Sequence, residues 1–304
     1  MSARFVALLA ALIPLAGSCS VRRLALDSLA DSLGPSAATF AREDDPELVR
    51  EAMPFALKAI EAALIASPGN EGLLSAACSA FGLYAYAFLQ CDAERLESQD
   101  YAGAQLLNQR ALALYLRARD YGLRGLELRH AGIAGQLRMK PMHAAAELGR
   151  EDVELAYLTG GTWGLAISLG KDDPALLADV DAVRALLRRA LELDEGYGDG
   201  ALHEALISIE GLPQMMGGSP DRARLHFKRA LVLSGGRRAS LYLKLAESLS
   251  IPDQDREEFE RLVRQALAVD LAAAPDLRLS NRISQARARL LLERIDELFL
   301  PPLE

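Results

Sequence analysis

One short piece of helical text recurs along this chain. Leu187-Arg-Arg-Ala190-Leu191-Glu-Leu-Asp194 is followed by Phe227-Lys-Arg-Ala230-Leu231-Val-Leu-Ser234 and by Val263-Arg-Gln-Ala266-Leu267-Ala-Val-Asp270. An earlier copy, Ile60-Glu-Ala-Ala63-Leu64-Ile-Ala-Ser67, runs straight into Pro68. Each copy is an apolar residue, two others, Ala-Leu, and then Asp or Ser three positions on. The last three of these alanines are spaced 40 and then 36 residues apart. A period of this size in helical text marks stacked helix hairpins, because one hairpin cannot bury its apolar face alone. The expected fold is all-α, an α-solenoid with a long concave face. That shape suits binding and scaffolding better than bond-making.

Composition agrees with this. Apolar residues make up 51% and charged residues 25% of 304, so the chain has enough apolar surface to fold. Ala and Leu dominate and aromatics are 6%, which favours interdigitating helices over sheets. The net charge of −8 and pI near 5.2 argue against nucleic acid as a partner. The arginines of 184–189 and 282–289 alternate with Leu and Ala, and read as solvated helix faces.

The first residues stand apart. A short apolar run, Phe5 to Ala16, follows Arg4 and is interrupted by Pro14; it falls short of the roughly 20 residues of a membrane span. Ala16-Gly17-Ser18-Cys19 then supplies small residues before a cysteine. We read 1–19 as a secretory signal; it resembles a bacterial lipoprotein signal, so lipidation of Cys19 is expected, with ordinary signal cleavage as the alternative. Ala16 stands where the lipoprotein pattern usually has Leu. Residues 20–43 read as a tether and an N-terminal helix, and 44–300 as the helical-repeat domain. Cys78 and Cys91 share one helical segment. Thirteen residues of helix separate them by roughly 20 Å, beyond the approximately 7 Å limit of a disulfide, so both read as buried thiols.

Helix starts are well marked. Asp44-Asp45-Pro46-Glu47 and Asp172-Asp173-Pro174 each offer an acidic cap and a first-turn proline. Further helices are expected over 73–90, 101–120, 121–130, 152–169, 200–210, 219–234, 239–249 and 253–270, with a last one from 280 to about 299. The stretch 130–150, broken by Gly132, Gly135 and Pro141, predicts short helices and a loop. No period-two run argues for a strand.

Tests for chemistry come out negative. Gly164-Leu-Ala-Ile-Ser-Leu-Gly170-Lys-Asp172 has one residue too many between its glycines for a phosphate loop, and Asp172 stands where Ser or Thr is needed. His203-Glu204 begins like a zinc-protease helix, but Ile207 occupies the place of the second histidine. The four histidines have no metal-ligand spacing, and no serine sits in a nucleophile elbow. No catalytic residue, metal or cofactor is expected. Phe81, Tyr84, Tyr86 and Phe88 read as core. Trp163 among Gly160, Gly161 and Gly164 reads first as a packing residue and His203 first as a hydrogen-bonded helix residue; with Glu204 and Tyr242 they are the candidates for lining a groove. Each of the four lies on a helix and has a polar handle. Met215-Met216-Gly217-Gly218 reads as a loop.

The ordered set of motifs resembles the T component of tetratricopeptide-repeat-associated TRAP transporters. It includes Trp163-Gly-Leu-Ala-Ile-Ser-Leu, Lys171-Asp-Asp-Pro174, Gly200-Ala-Leu-His-Glu204, Gly217-Gly-Ser-Pro-Asp221, His226-Phe-Lys-Arg-Ala-Leu and Asp255-Arg-Glu-Glu-Phe259. The N-terminal half matches more loosely, through Tyr84-Ala-Tyr-Ala-Phe88 and Arg119-Asp-Tyr-Gly122. The resemblance implies irregular tetratricopeptide-like hairpins in a periplasmic lipoprotein of a Gram-negative-type bacterium. It implies a non-catalytic subunit of a solute uptake system that binds a solute-binding protein, the P component, and passes a hydrophobic ligand. It further implies a homo-oligomer, a trimer, held at the membrane through its lipid anchor. The alternative is a generic envelope adaptor that binds no solute.

Overall fold

The computed structural model describes residues 36–301. The signal segment and Cys19 lie outside them, as does most of the tether. Among the described residues every regular element is helical. The chain forms α1 (Ser36–Ala41), α2 (Pro46–Ala66), α3 (Glu71–Tyr84), α4 (Cys91–Leu96) and α5 (Tyr101–Glu127). Next come α6 (Ile133–Met139), α7 (Pro141–Ala146), α8 (Val153–Leu169), α9 (Pro174–Leu177) and α10 (Val180–Leu193). The last are α11 (Ala201–Glu210), α12 (Pro220–Ser234), α13 (Ala239–Leu245), α14 (Arg256–Leu267), α15 (Arg278–Glu293) and α16 (Ile295–Leu298).

The starts follow from local chemistry. The side chain of Asp45 accepts from the backbone N–H groups of Glu47 and Leu48, and Asp173 accepts from that of Ala175. Ser219 and Asp255 cap α12 and α14 in the same way. Each satisfies a donor that the helix itself leaves free. Pro54 is accommodated inside α2, which runs through it.

Two expectations are corrected. Residues 101–130 do not form two helices but one, α5. Its glycines are contact points and not breaks: a side chain at Gly122 would overlap Thr159 of α8, and one at Gly125 would press on Leu155. The segment expected as one helix over 73–90 is longer. It runs from α3 through a π-helical turn, Ala85–Gln90, into α4. The final helix pauses at Arg294, whose guanidinium turns back to the carbonyl of Glu94 at 2.8 Å.

Neighbours in sequence pack as neighbours in space. α2 lies on α3, α3 on α5, α5 on α8, α8 on α10, α10 on α11, and so on to α14 on α15. The repeat alanines sit at these contacts: Ala190, Ala230 and Ala266 are fully buried. Three apolar clusters result, one for each third of the described chain. The array is not left open, because α15 returns to α1 and α2. Leu279 and Ile283 join the N-terminal cluster, while Ala288 of the same helix joins the C-terminal one. Ion pairs reinforce the return, with Arg282 on Asp44 at 2.8 Å and Arg287 on Glu94 at 2.6 Å. Cys78 and Cys91 are buried and unbridged.

Candidate functional site

The curved array surrounds a cavity of about 1020 Å³. Its wall comes from α8, α10, α11, α13 and α15 and from the π turn after α3. A hollow beside Lys58, Arg117 and Arg124 is less than half as large, about 460 Å³, and more open. The cavity is the larger and the more enclosed of the two.

Three features of the wall stand out. First, α8 offers it a bare strip, Gly161, Gly164 and Ser168. A Cβ added at Gly161 would meet nothing within 4 Å, so this glycine leaves space that a side chain would fill. Gly160, by contrast, is a packing glycine beside Leu187. Second, the lining is mostly apolar, with Val183, Leu187, Ile209, Leu243 and Leu290 among its side chains. Third, two π-helical turns face the cavity. One, Ala85–Gln90, contributes Tyr86 and Gln90; the other, Ala246–Ser250 after α13, contributes Glu247 and Ser248. An i→i+5 turn adds a residue to the helix and re-aims the side chains beyond it, and such turns gather at functional sites.

Arg287 of α15 joins these two turns. Its guanidinium donates to Glu94 at 2.6 and 2.9 Å and to Glu247 at 3.0 Å, and it lies over the ring of Tyr86. Burial acts against its charge, but the carboxylates of Glu247 and Glu94 outweigh it and hold the pKa well above the usual value. Across the cavity Arg238 pairs with Glu204 at 2.8 Å. Burial favours the neutral form of Glu204, yet Arg238 keeps its pKa below the ordinary range. The wall's arginines are thus engaged by carboxylates. Lys171 and Lys244 also line the cavity, and neither has a carboxylate within ion-pair distance among the described residues.

The four groove candidates separate. Glu204 lines the cavity. Trp163 does not reach it: the indole is fully buried, donates to Asp179 at 3.1 Å and is flanked by the guanidiniums of Arg119 and Arg138. Tyr242 faces Phe227, edge to face, on the other side of α13. His203 turns away from the cavity toward α12, where its Nδ1 lies 2.8 Å from Nδ1 of His226 and its Nε2 3.2 Å from Glu195. The wall residues that sequence reasoning missed are Gly161 as open space, Arg287 and the π turns. The glycines beside Trp163 were the available signal. Among the described residues no three His, Cys, Asp or Glu side chains converge as a metal site.

Fold and cavity together define an all-α chain whose helices line one large cavity. The family model of the TRAP transporter T-component matches residues 42–299. The chain is also 30% identical to an uncharacterized protein of Treponema pallidum (strain Nichols), over 94% of each chain. The chain belongs to the TRAP transporter T-component family, the accessory subunits of TRAP systems in bacterial envelope transport.

Proposed function

We propose that this T component takes an apolar ligand into its cavity and exchanges it with a periplasmic solute-binding protein, without chemistry of its own. The cavity carries this reading: its volume suits a small molecule and its lining is mostly apolar, with charged groups such as Glu204 and Lys244 beside it. In this role Glu204 touches the ligand, while Trp163, His203 and Tyr242 support the wall from behind. An acidic group on the ligand would meet Lys244. Lipidation at Cys19 holds the chain at the membrane, and copies associate as a homo-oligomer, a trimer by family resemblance.

Gly161→Phe tests the cavity. The position is open, so the ring enters the cavity rather than the core. We expect N-phenyl-1-naphthylamine, an uncharged fluorescent probe, to bind the wild type and to lose about tenfold or more in affinity in the variant. Thermal stability and capture of the purified solute-binding protein should be retained. Equal probe affinity in both proteins would remove the cavity from the reading. No capture of any solute-binding protein would favour the envelope adaptor. Cys19→Ala should move the protein from the membrane to the soluble fraction.

A further inference from the structure

The back of α11 holds a pair of histidines that the cavity does not use. His203 is buried on α11, and His226 is partly buried on α12. Their Nδ1 atoms are 2.8 Å apart and their ring centroids 5.1 Å. The two nitrogens therefore lie nearly on the line joining the rings. That is the geometry of one shared hydrogen, and it leaves no room for a metal ion between them.

The direction of the bond follows from the neighbours. Arg229 grips Glu195 at 2.6 and 2.8 Å, and with His203 it holds that carboxyl down at about 2. Glu195 can then only accept, so His203 carries its hydrogen on Nε2. In a neutral ring this leaves His203 Nδ1 as acceptor and makes His226 Nδ1–H the donor. One added proton can enter at His226 Nε2 while the bridging hydrogen shifts along the N···N line. A second cannot, because two N–H groups would then point at each other.

The surroundings oppose even the first. Arg188 of α10 and Arg222 and Arg229 of α12 face the pair with positive charge. Glu210 is committed to Arg188 and Arg222, and Glu195 to Arg229. On the far side of α11, Arg238 and Lys244 face Glu204 instead. The same short helix carries cavity wall on that far side, through Ala201, Glu204, Ala205, Ser208 and Ile209.

We infer that the His203–His226 pair is an acid-released clasp, which fixes α11 against α12 and thereby sets the cavity wall on the opposite face of α11. This regulation rests on the cavity being the ligand site. Burial, above all, lowers the pKa of both rings, and that of His226 falls from 6.5 to about 4. Above pH 6.5 both the closed and the open contact are neutral, and nothing is lost. As pH falls from 6.5 toward about 4, the open form takes up protons that the closed form refuses. For His226 alone this shifts the balance toward the open form about 30-fold between pH 7.5 and pH 5.

The test uses the full chain and His226→Asn, whose side-chain amide keeps a donor to His203 Nδ1 but does not titrate. Hydrogen exchange of α11 and α12 amides, corrected for intrinsic rates, should quicken up to about 30-fold from pH 7.5 to pH 5 in the wild type. N-phenyl-1-naphthylamine affinity should fall over the same range. His226→Asn should show clearly smaller changes, those that His203 alone still brings. Nitrogen NMR of the wild-type imidazoles gives a check that needs no variant: Nε2–H on His203 and Nδ1–H on His226 at pH 7.5. The same Nε2–H tautomer on both rings would overturn the clasp, as would acid-quickened exchange that is undiminished in His226→Asn. Probe affinity that is equal at both pH values while exchange changes would overturn the link to the wall. A probe that binds at neither pH, with the exchange difference intact, would instead bring down the cavity reading.

Discussion

Ala230 shows how tightly the hairpins meet. It has no exposed surface, and Gly200 lies against its backbone. Gly200 has φ +90°, and a Cβ there would stand 3.0 Å from Ala230 Cα. Neither residue has room to grow. We expect Ala230→Leu to overpack this contact and cost about 1–3 kcal/mol, seen as a fall of about 2–4 °C in melting temperature per kcal/mol. The exposed Lys228→Arg should melt like the wild type, and matching curves for the two variants would refute the contact. This alanine was legible in the sequence because its constraint is local: the residue is small and recurs at the repeat spacing. The direction of Trp163 could not be read from the sequence, because its neighbours are local and its direction is not. It stands two residues after Gly161, about half a turn round α8, so the glycine faces the cavity and the indole faces Asp179. His203 has its partner 23 residues on, across a turn whose geometry no short pattern encodes.

At the scale of elements, α15 is the one that couples distant parts. Arg287 places one positive charge between two carboxylates, Glu94 and Glu247, with its side chain only 12% exposed. Removing it would leave those carboxylates facing each other. Arg287→Met should therefore destabilise the fold by about 3–5 kcal/mol, measured by urea unfolding. Adding Glu94→Gln should recover part of the loss; a double variant no more stable than Arg287→Met would mean that the pairing is not what holds α15. The helices themselves could be read from caps such as Asp45-Pro46 and Ser219-Pro220, since a cap is made by residues adjacent in sequence. The π turns could not. Ala-Tyr-Ala-Phe-Leu-Gln reads as ordinary α-helix, and only the demands of packing and of the cavity select the wider turn.

For the whole molecule, acid should act in two stages. Asp152 and Glu210 are fully buried. Burial pulls both pKa values up, but donors outweigh it and hold both below the usual carboxylate range. They are the Gly149 N–H, Arg129 and His130 for Asp152, and Arg222 and Arg188 for Glu210. A depressed carboxylate contributes stability above its unfolded pKa, near 4, and loses it as pH falls through its folded value. The histidine pair begins to weaken the fold earlier, below 6.5. Urea unfolding from pH 8 to pH 3 should show a plateau, a gentle decline below 6.5, and a steep one below about 4. His226→Asn should make the gentle part shallower and leave the steep part. A single steep limb in the wild type would contradict the two-stage account.

The return of α15 also bears on the order in which the protein comes into being. Arg287 meets Glu94 across 193 residues of sequence, and Arg282 meets Asp44 across 238. Most other contacts join adjacent hairpins and can form as soon as those hairpins exist. The closing contacts must wait, and their long loops make them slow. A chain made from its N-terminus has more than four fifths of its cavity wall before residues 278–293 are delivered. The wall of the cavity is thus the last part to be completed, by the helix that joins the two ends of the array.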